Sequence, residues 1–316
     1  MSLLPVEAAH LLAVRPAELR WLIDGLWAEE AVGIVGGEPK CCKSFLALDM
    51  AVAVASGTAC LRRFTVARPG RVLLFAAEDA LHVVRQRLDG ICRAAGVELA
   101  DIDIQVITAP SVRLDVEVDR KSLAETVAAL KPRLMILDPF VRLHRIDENV
   151  SGEVAPLLAY LRDLQRRHQL AVVVVHHARK GAGKARAGQA LRGSSEFHAW
   201  GDSNLYLRRL GEQLTLAVEQ RAAASTSGIA LRLRADGEQV ALETIAERSA
   251  PPEVEAEPSV EDRVTSILAA ATAPMTVAEI RSFCRARNAT LHAALASLAA
   301  AGRVQRTAAG YAITAR

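Results

Sequence analysis

The strongest constraint on the fold is a series of five short apolar segments, rich in β-branched residues, that alternate with helix-length stretches. The segments span residues 31–35, 72–77, 103–108, 133–137 and 170–175, and four of them are apolar nearly throughout. Continuous apolarity is typical of parallel strands that are covered by helices on both faces. The pattern therefore predicts repeated βαβ units with right-handed crossovers, which build a doubly wound α/β sheet.

Beyond residue 200 the pattern changes to one of hairpins. Four runs, at 203–210, 213–220, 229–235 and 239–245, are separated by turns that contain glycine. We therefore expect antiparallel hairpins that extend the parallel sheet. A Pro- and Glu-rich stretch over 247–259 then indicates a semi-extended linker.

The tail over 260–316 has the pattern of a small separate domain. Three helix-like stretches precede two strand-like segments, and Thr276 with Glu279 matches a capping box at the start of the second helix. Three helices followed by a terminal hairpin predict a winged helix. The expected organisation is an α/β core over 1–246, a linker over 247–259 and a winged helix over 260–316.

The composition limits the classes of partner. The chain has 39 basic and 36 acidic side chains, so its net charge of +3 creates no general attraction to DNA or to a membrane. Residues 260–316 are nevertheless basic, with seven arginines against three acidic residues. Aromatic residues make up only 4% of the chain, which argues against modules that bind single strands by stacking bases.

Cysteine usage and the N-terminal sequence indicate the compartment. The five cysteines have neither CxxC spacing nor a Cys/His cluster, which argues against a disulfide framework and against a zinc site. Residues 1–20 lack the pattern of a signal peptide, and the apolar runs stay well short of the roughly 18 residues of a membrane span. These features predict a cytoplasmic protein with no membrane partner.

The first predicted strand runs into the sequence GGEPKCCKS at 36–44 and then into a helix over 43–56, which is the context of a phosphate-binding P-loop. Such a loop holds the phosphates of ATP with backbone N–H groups and the helix N-terminus. Lys43 is expected to reach the β- and γ-phosphates, and the Ser44 hydroxyl is expected to bind Mg²⁺. The predicted nucleotide-binding residues are Gly37, Glu38, Pro39, Lys40, Cys41, Cys42, Lys43, Ser44 and Phe45.

Cys42 departs from the P-loop pattern Gly-x-x-x-x-Gly-Lys-Ser/Thr, in which Gly37 fills the first glycine position and Cys42 the second. A glycine there lets the backbone curve closely around phosphate without a Cβ. One alternative is therefore a loop that binds nucleotide but hydrolyses it poorly. Another is a redox-sensitive pair, Cys41 and Cys42, at a helix N-terminus, where the pKa of a thiol tends to fall.

Polar side chains follow three further predicted strands, and the carboxyl ends of parallel strands meet at one edge of a sheet. Glu78 ends the second strand and is expected to orient or deprotonate the attacking water. Asp138 ends the fourth strand and fits the carboxylate that holds Mg²⁺ through water. His176 ends the fifth strand, where it is expected to sense the γ-phosphate. Together with Lys43 and Ser44, these residues predict an ATP site.

These motifs, in this order, resemble those of the RecA-like AAA-family ATPases of the plasmid RepA type, which are relatives of DnaB-type replicative helicases. The resemblance covers about residues 15–245 and is carried by the segments 20–57, 75–79, 137–140, 172–180 and 191–209. It implies a ring-shaped homo-oligomer, usually a hexamer, that binds ATP between subunits and moves along single-stranded DNA. The P-loop of this family keeps the second glycine, which Cys42 replaces here.

In DnaB-type helicases the neighbouring subunit completes the ATP site with an arginine from a Lys-x-Arg motif at the end of a late strand. The matching sequence here is EQR at 219–221, in which Glu219 replaces the lysine. The resemblance therefore implies Arg221 as the arginine supplied in trans, with Arg208 and Arg209 as alternatives.

A glycine-rich basic segment over 179–195 follows the strand that carries His176, and it contains no acidic residue. A basic loop leaving that strand suits contacts to DNA phosphates in a central channel, which are independent of base sequence. The predicted DNA-binding residues are Arg179, Lys180, Lys184, Arg186 and Arg192.

The predicted function is that of an ATP-dependent DNA helicase or translocase that acts in the replication of a plasmid, a phage or an integrated element. ATP and Mg²⁺ are the expected cofactors. Single-stranded DNA and further copies of the chain are the expected partners, and a replication initiator or a primase is a further candidate. Two alternatives stay open: a nucleotide-gated loader or regulator with little or no hydrolysis, and a RecA-like recombination mediator.

Overall fold

The computed structural model describes residues 19–177, 196–211, 213–237, 239–245, 260–271, 273–284, 288–307 and 309–314. The chain divides into two units, Met1–Ala246 and Glu247–Arg316. Within the described residues, no helix combines the length and the apolarity that crossing a membrane requires.

Strands and helices alternate through most of the larger unit. Its first helix begins at Lys43 and ends at Ser56, as predicted, and Gly57 closes it with a left-handed φ of 80°. In chain order the elements are β1 (Trp21–Ile23), β2 (Trp27–Ala28), β3 (Val32–Gly37), α1 (Lys43–Ser56), β4 (Val72–Ala76), α2 (Leu81–Ala95), β5 (Ile104–Val106), α3 (Glu117–Leu130), β6 (Leu134–Asp138), α4 (Ser151–His168), β7 (Ala171–His177), α5 (Glu196–Trp200), β8 (Ser203–Leu210), β9 (Gln213–Gln220), β10 (Thr226–Asp236) and β11 (Gln239–Thr244).

The main sheet contains nine strands among the described residues, in the order β11-β10-β9-β8-β3-β7-β6-β4-β5. The six strands from β8 to β5 in that order pair in parallel. Strands β9, β10 and β11 continue the sheet in antiparallel fashion, beginning at β8. The predicted α/β class with a mostly parallel central sheet is therefore confirmed.

The strand β8 joins the parallel and the antiparallel parts of the sheet. It pairs antiparallel with β9, as the predicted hairpin requires, and it pairs in parallel with β3 on its other side. Turn signals identify strands that follow each other in the chain, such as β8 and β9. They carry no information about the second neighbour of a strand, which is set by the crossover that places β8 beside β3.

Side chains of the parallel strands alternate between two buried faces. One face, called here the α1 face, packs against α1 and α2 and includes Val173 and Val175 of β7. The other, called here the α4 face, packs against α3 and α4 and includes Val172 and Val174. Helices on both sides explain why the strands are apolar at successive positions.

The smaller unit contains α6 (Val260–Ala270), α7 (Val277–Cys284), α8 (Asn288–Ala300) and an antiparallel pair of strands, β12 (Val304–Thr307) and β13 (Gly310–Ile313). The predicted capping box is present at the start of α7, because the Thr276 backbone N–H donates to Glu279 Oε2 at 2.7 Å and the Glu279 N–H donates to Thr276 Oγ1 at 3.3 Å. The helices and β12 share a core made of Val264, Leu268, Ile280, Cys284, Leu291, Leu295, Leu298 and Val304.

Close packing of β3 against β8 requires glycine at position 33. A Cβ on Gly33 would lie 1.7 Å from the carbonyl oxygen of Ser203 and 3.0 Å from the Trp27 ring. We expect Gly33→Ala to lower the free energy of unfolding by roughly 1–3 kcal/mol because the two strands must separate. Gly152→Ala is the matched control, since a Cβ there meets nothing within 4 Å. Urea unfolding of both variants tests this, and equal midpoints would contradict it.

Candidate functional site

The loop between β3 and α1 has the backbone that close contact with phosphate requires. Gly37 ends β3 with a φ of 152°, and a Cβ there would lie 2.3 Å from the Leu207 carbonyl oxygen and 2.7 Å from Cys41 Sγ. Lys40 and Cys42 both have a φ of 65°, in the left-handed region that glycine favours. The loop thus keeps a glycine-like conformation at Cys42, where a non-glycine residue costs roughly 1–2 kcal/mol.

The two loop thiols have different surroundings. Cys41 is 1% exposed, and burial raises the pKa of its thiol. Cys42 is partly exposed, and its Sγ lies 3.5 Å from Nη2 of Arg209. Because a reactive cysteine needs an accessible thiolate, the burial of Cys41 argues against the redox-sensitive pair.

Lys43 is a buried cation that faces no carboxylate at short range. Its side chain donates from Nζ to the Glu38 carbonyl oxygen at 2.8 Å, and the residue is 5% exposed. Burial lowers its pKa, while Cys41, Asp138 and Glu78 act in the opposite direction. Among the described residues, no carboxylate oxygen lies within 4.0 Å of Nζ, so a bound phosphate would supply the missing negative charge.

Ser44 and Asp138 meet beside Lys43. The Ser44 hydroxyl is close enough to the Asp138 carboxylate to lower its pKa, and Asp138 ends β6 on the α1 face. Burial raises the pKa of Asp138 to about 6, and the neighbouring carboxylates Asp79 and Glu78 add to this effect. A hydroxyl and a carboxylate are ligands that suit Mg²⁺, so this pair fits the ion that the fold family uses. No cluster of three His, Cys, Asp or Glu side chains suited to a metal occurs in the described parts of the chain.

Glu78 follows β4, at the same edge of the sheet. Its Oε1 accepts a hydrogen bond from Nε of Arg142 at 2.9 Å, and the carboxylate is 42% exposed. Its charge influences the pKa values of Lys43, Asp138 and His177, which places it electrostatically within the same site. The sequence did not signal Arg142, because nothing in its local pattern marks it as a partner of Glu78.

The two histidines that end β7 lie on opposite faces of the sheet. His176 lies on the α4 face, is 1% exposed, and stacks on Phe197 with ring centroids 4.2 Å apart. The Phe140 ring meets it edge-on at 6.1 Å. His177 lies on the α1 face, where burial and Lys43 lower its pKa and where Nδ1 has no hydrogen-bond partner among the described residues. His177 therefore lies on the same face as Lys43 and His176 does not, so His177 is the better placed of the two for the γ-phosphate sensor that the sequence predicts at His176.

The candidate arginines lie in three different settings. The Arg221 side chain is 55% exposed, and its Nη1 lies 3.2 Å from Asp202, which also binds Arg162. Arg209 follows Leu207 on the α1 face of β8 and contacts Cys42. Arg208 follows Tyr206, whose side chain packs on the α4 face. The predicted DNA-binding residues Arg179, Lys180, Lys184, Arg186 and Arg192 lie outside the described residues.

Two comparisons with known proteins bear on this site. The family model of the AAA domain matches residues 1–183, which is more than half of the chain. The chain belongs to the AAA domain family. A crystal structure of the RadB recombinase is similar in fold, with a TM-score of 0.50 and 17% identity over 69% of this chain and 92% of that one. The family is therefore that of the AAA domain, and the similarity to the RadB recombinase is one of fold.

The placement of the two histidines on opposite faces predicts different effects of substitution. His177→Asn is expected to lower ATP turnover by roughly 10²-fold with little change in stability, because it removes the imidazole ring from the nucleotide edge. His176→Ala is expected to lower the free energy of unfolding by roughly 2–5 kcal/mol, because it leaves a cavity between Phe140 and Phe197. Steady-state ATPase assays and urea unfolding measure the two effects. A stable but inactive His176→Ala variant, together with an active His177→Asn variant, would restore the original assignment.

Proposed function

We propose that this AAA-domain protein is a DNA-dependent ATPase motor, a helicase or translocase of the hexameric replicative type. The observation that supports it best is the buried cation of Lys43, which lies close enough to the Asp138 carboxylate for each to shift the pKa of the other, with Ser44 beside them. Two cations on one triphosphate, here Lys43 and Mg²⁺, are the usual requirement for phosphoryl transfer. The left-handed backbone at Cys42 further supports a loop that accepts phosphates despite its missing glycine.

Each residue has a role that follows from its surroundings. Lys43 and the loop N–H groups bind the β- and γ-phosphates, and Ser44 with Asp138 holds Mg²⁺, which neutralises phosphate charge. The Glu78 carboxylate orients the attacking water and accepts its proton, and the hydrogen bond from Arg142 positions that carboxylate. His177 directs an imidazole nitrogen toward the γ-phosphate. The basic segment 179–195 begins two residues later in the sequence.

Contacts between subunits and with DNA complete the proposal. Asp202 orients the exposed Arg221, and this arginine serves the ATP site of a neighbouring subunit in a ring, which we propose to be a hexamer. The basic segment 179–195 contacts the phosphates of single-stranded DNA. The unit over 260–316 acts as a winged helix. The described part of α8 offers no basic residue for the major groove, so this unit contacts the DNA backbone or a replication partner and does not read bases.

A forked DNA substrate tests the motor function. We expect the wild type to hydrolyse Mg·ATP and to do so faster when single-stranded DNA is added. We also expect it to displace a strand from the fork. Lys43→Ala is the matched control and is expected to abolish all three, because the phosphates lose their buried cation. Hydrolysis is followed by phosphate release and displacement by a fluorescent strand.

Two other outcomes would contradict the motor. If the wild type binds ATP without turnover, and only Cys42→Gly hydrolyses it, the protein is a nucleotide-gated loader or regulator. If DNA stimulates turnover but no strand is displaced, the second candidate is favoured. That candidate is a RecA-like recombination mediator, which the fold shared with the RadB recombinase supports.

The arginine supplied in trans can be tested separately. Arg221→Ala is expected to lower turnover by about 10³-fold or more while leaving the Kd for ATP unchanged, because an arginine from a neighbour stabilises charge in the transition state. Arg162→Ala is the control, since Arg162 binds the same Asp202. Unchanged turnover in Arg221→Ala would reject the assignment.

A further inference from the structure

Strand alternation places Arg209 over the phosphate-binding loop of its own subunit. Leu205 and Leu207 of β8 pack on the α1 face, and Tyr206 packs on the α4 face. Leu207 is the register partner of Gly37, the last residue of β3. Arg209 is therefore the next residue on the α1 face, at the point where β3 has passed into the loop.

The guanidinium contacts the loop directly. Nη2 of Arg209 lies 3.5 Å from Cys42 Sγ, and the positive charge lowers the pKa of Cys41, in opposition to burial. A thiol is a weak acceptor, so this contact leaves most of the five guanidinium donors available. In the part of the chain that the structure describes, Arg209 forms no ion pair within 4.0 Å, whereas Arg221 is paired with Asp202.

We propose that Arg209 binds the nucleotide phosphates in cis, and that the Cys42 side chain positions it. The proposal rests on the proposed ATP site and adds a second side-chain cation from the same subunit to Lys43. A planar guanidinium suits this role because it donates two parallel hydrogen bonds to phosphate oxygens. A glycine at position 42 has no side chain to contact the guanidinium, so the cysteine supplies a contact that the usual P-loop lacks.

Nucleotide affinity tests the cis ligand. We expect Arg209→Ala to raise the Kd of the full-length protein for a fluorescent ATP analogue by about tenfold or more, since a hydrogen bond to a charged group is lost. Arg209→Lys should recover part of the affinity, because it restores the charge but not the planar fork. Arg232→Ala is the control and should bind like the wild type, because Arg232 is an exposed arginine of β10 that pairs with Glu243.

The failure of this inference and the failure of the proposed function give different results. If the wild type does not bind the analogue, the nucleotide site itself is wrong. If the wild type binds and Arg209→Ala binds equally well, only the cis ligand is overturned.

Mixing two variants separates a cis from a trans role. Lys43→Ala chains have an intact arginine but a defective loop, and Arg209→Ala chains have the reverse. A cis ligand requires both residues on one chain, so the mixture is expected to show no high-affinity sites for the analogue. High-affinity sites that appear on mixing would show that Arg209 acts on a neighbouring subunit, and would overturn the proposal.

A double-mutant cycle tests the positioning by Cys42. If the thiol positions the guanidinium, Arg209→Ala should raise the Kd for the analogue by a smaller factor in the Cys42→Gly background than in the wild type. Cys42→Ser keeps a side chain of similar shape and should retain the full factor. Equal factors in the wild type and in the Cys42→Gly background would reject the positioning role.

Discussion

The candidate site depends on how closely the neighbouring strands approach β3. A Cβ at Gly33 or at Gly37 would collide with a carbonyl oxygen of β8, so glycine at these positions allows β8 to lie in parallel beside β3. On the other side, Gly36 and Gly37 are the register partners of His176 and His177 of β7. The end of β3 therefore lies between strand ends that carry polar side chains. The loop that follows β3 crosses this edge of the sheet to reach α1.

The alternation of side chains then selects which polar groups meet. Asp138 and His177 share the α1 face with the helix that begins at Lys43, whereas His176 is packed between aromatic rings on the α4 face. A buried lysine without a close carboxylate and a carboxylate whose pKa is raised to about 6 are both unfavourable without a ligand. In the proposed nucleotide site, these groups are already oriented for the charges that arrive with Mg·ATP.

Family and fold do not by themselves determine which reaction a protein catalyses; the residues of the site say more. The RecA-like P-loop architecture is shared by proteins with different activities, and 17% identity to one solved structure describes architecture alone. The features specific to this chain are the cysteine at position 42, its left-handed backbone, and the arginine of β8 that touches it. These features, rather than the sheet, distinguish this phosphate loop from one that follows the usual pattern.

Local pattern was sufficient for much of the fold and for part of the site. Apolar runs predicted the parallel strands, and the Gly-Gly to Lys-Ser segment predicted α1 from its first residue. The ends of the strands predicted that Glu78 and Asp138 lie at one edge of the sheet. These predictions succeed because period, length and termination are properties of neighbouring residues. The second neighbour of β8, the face on which each histidine lies, and the contact between Arg209 and Cys42 join residues far apart in the chain. Only the tertiary structure decided them, since they depend on strand order and register, and a shift of one residue moves every side chain of a strand to the opposite face.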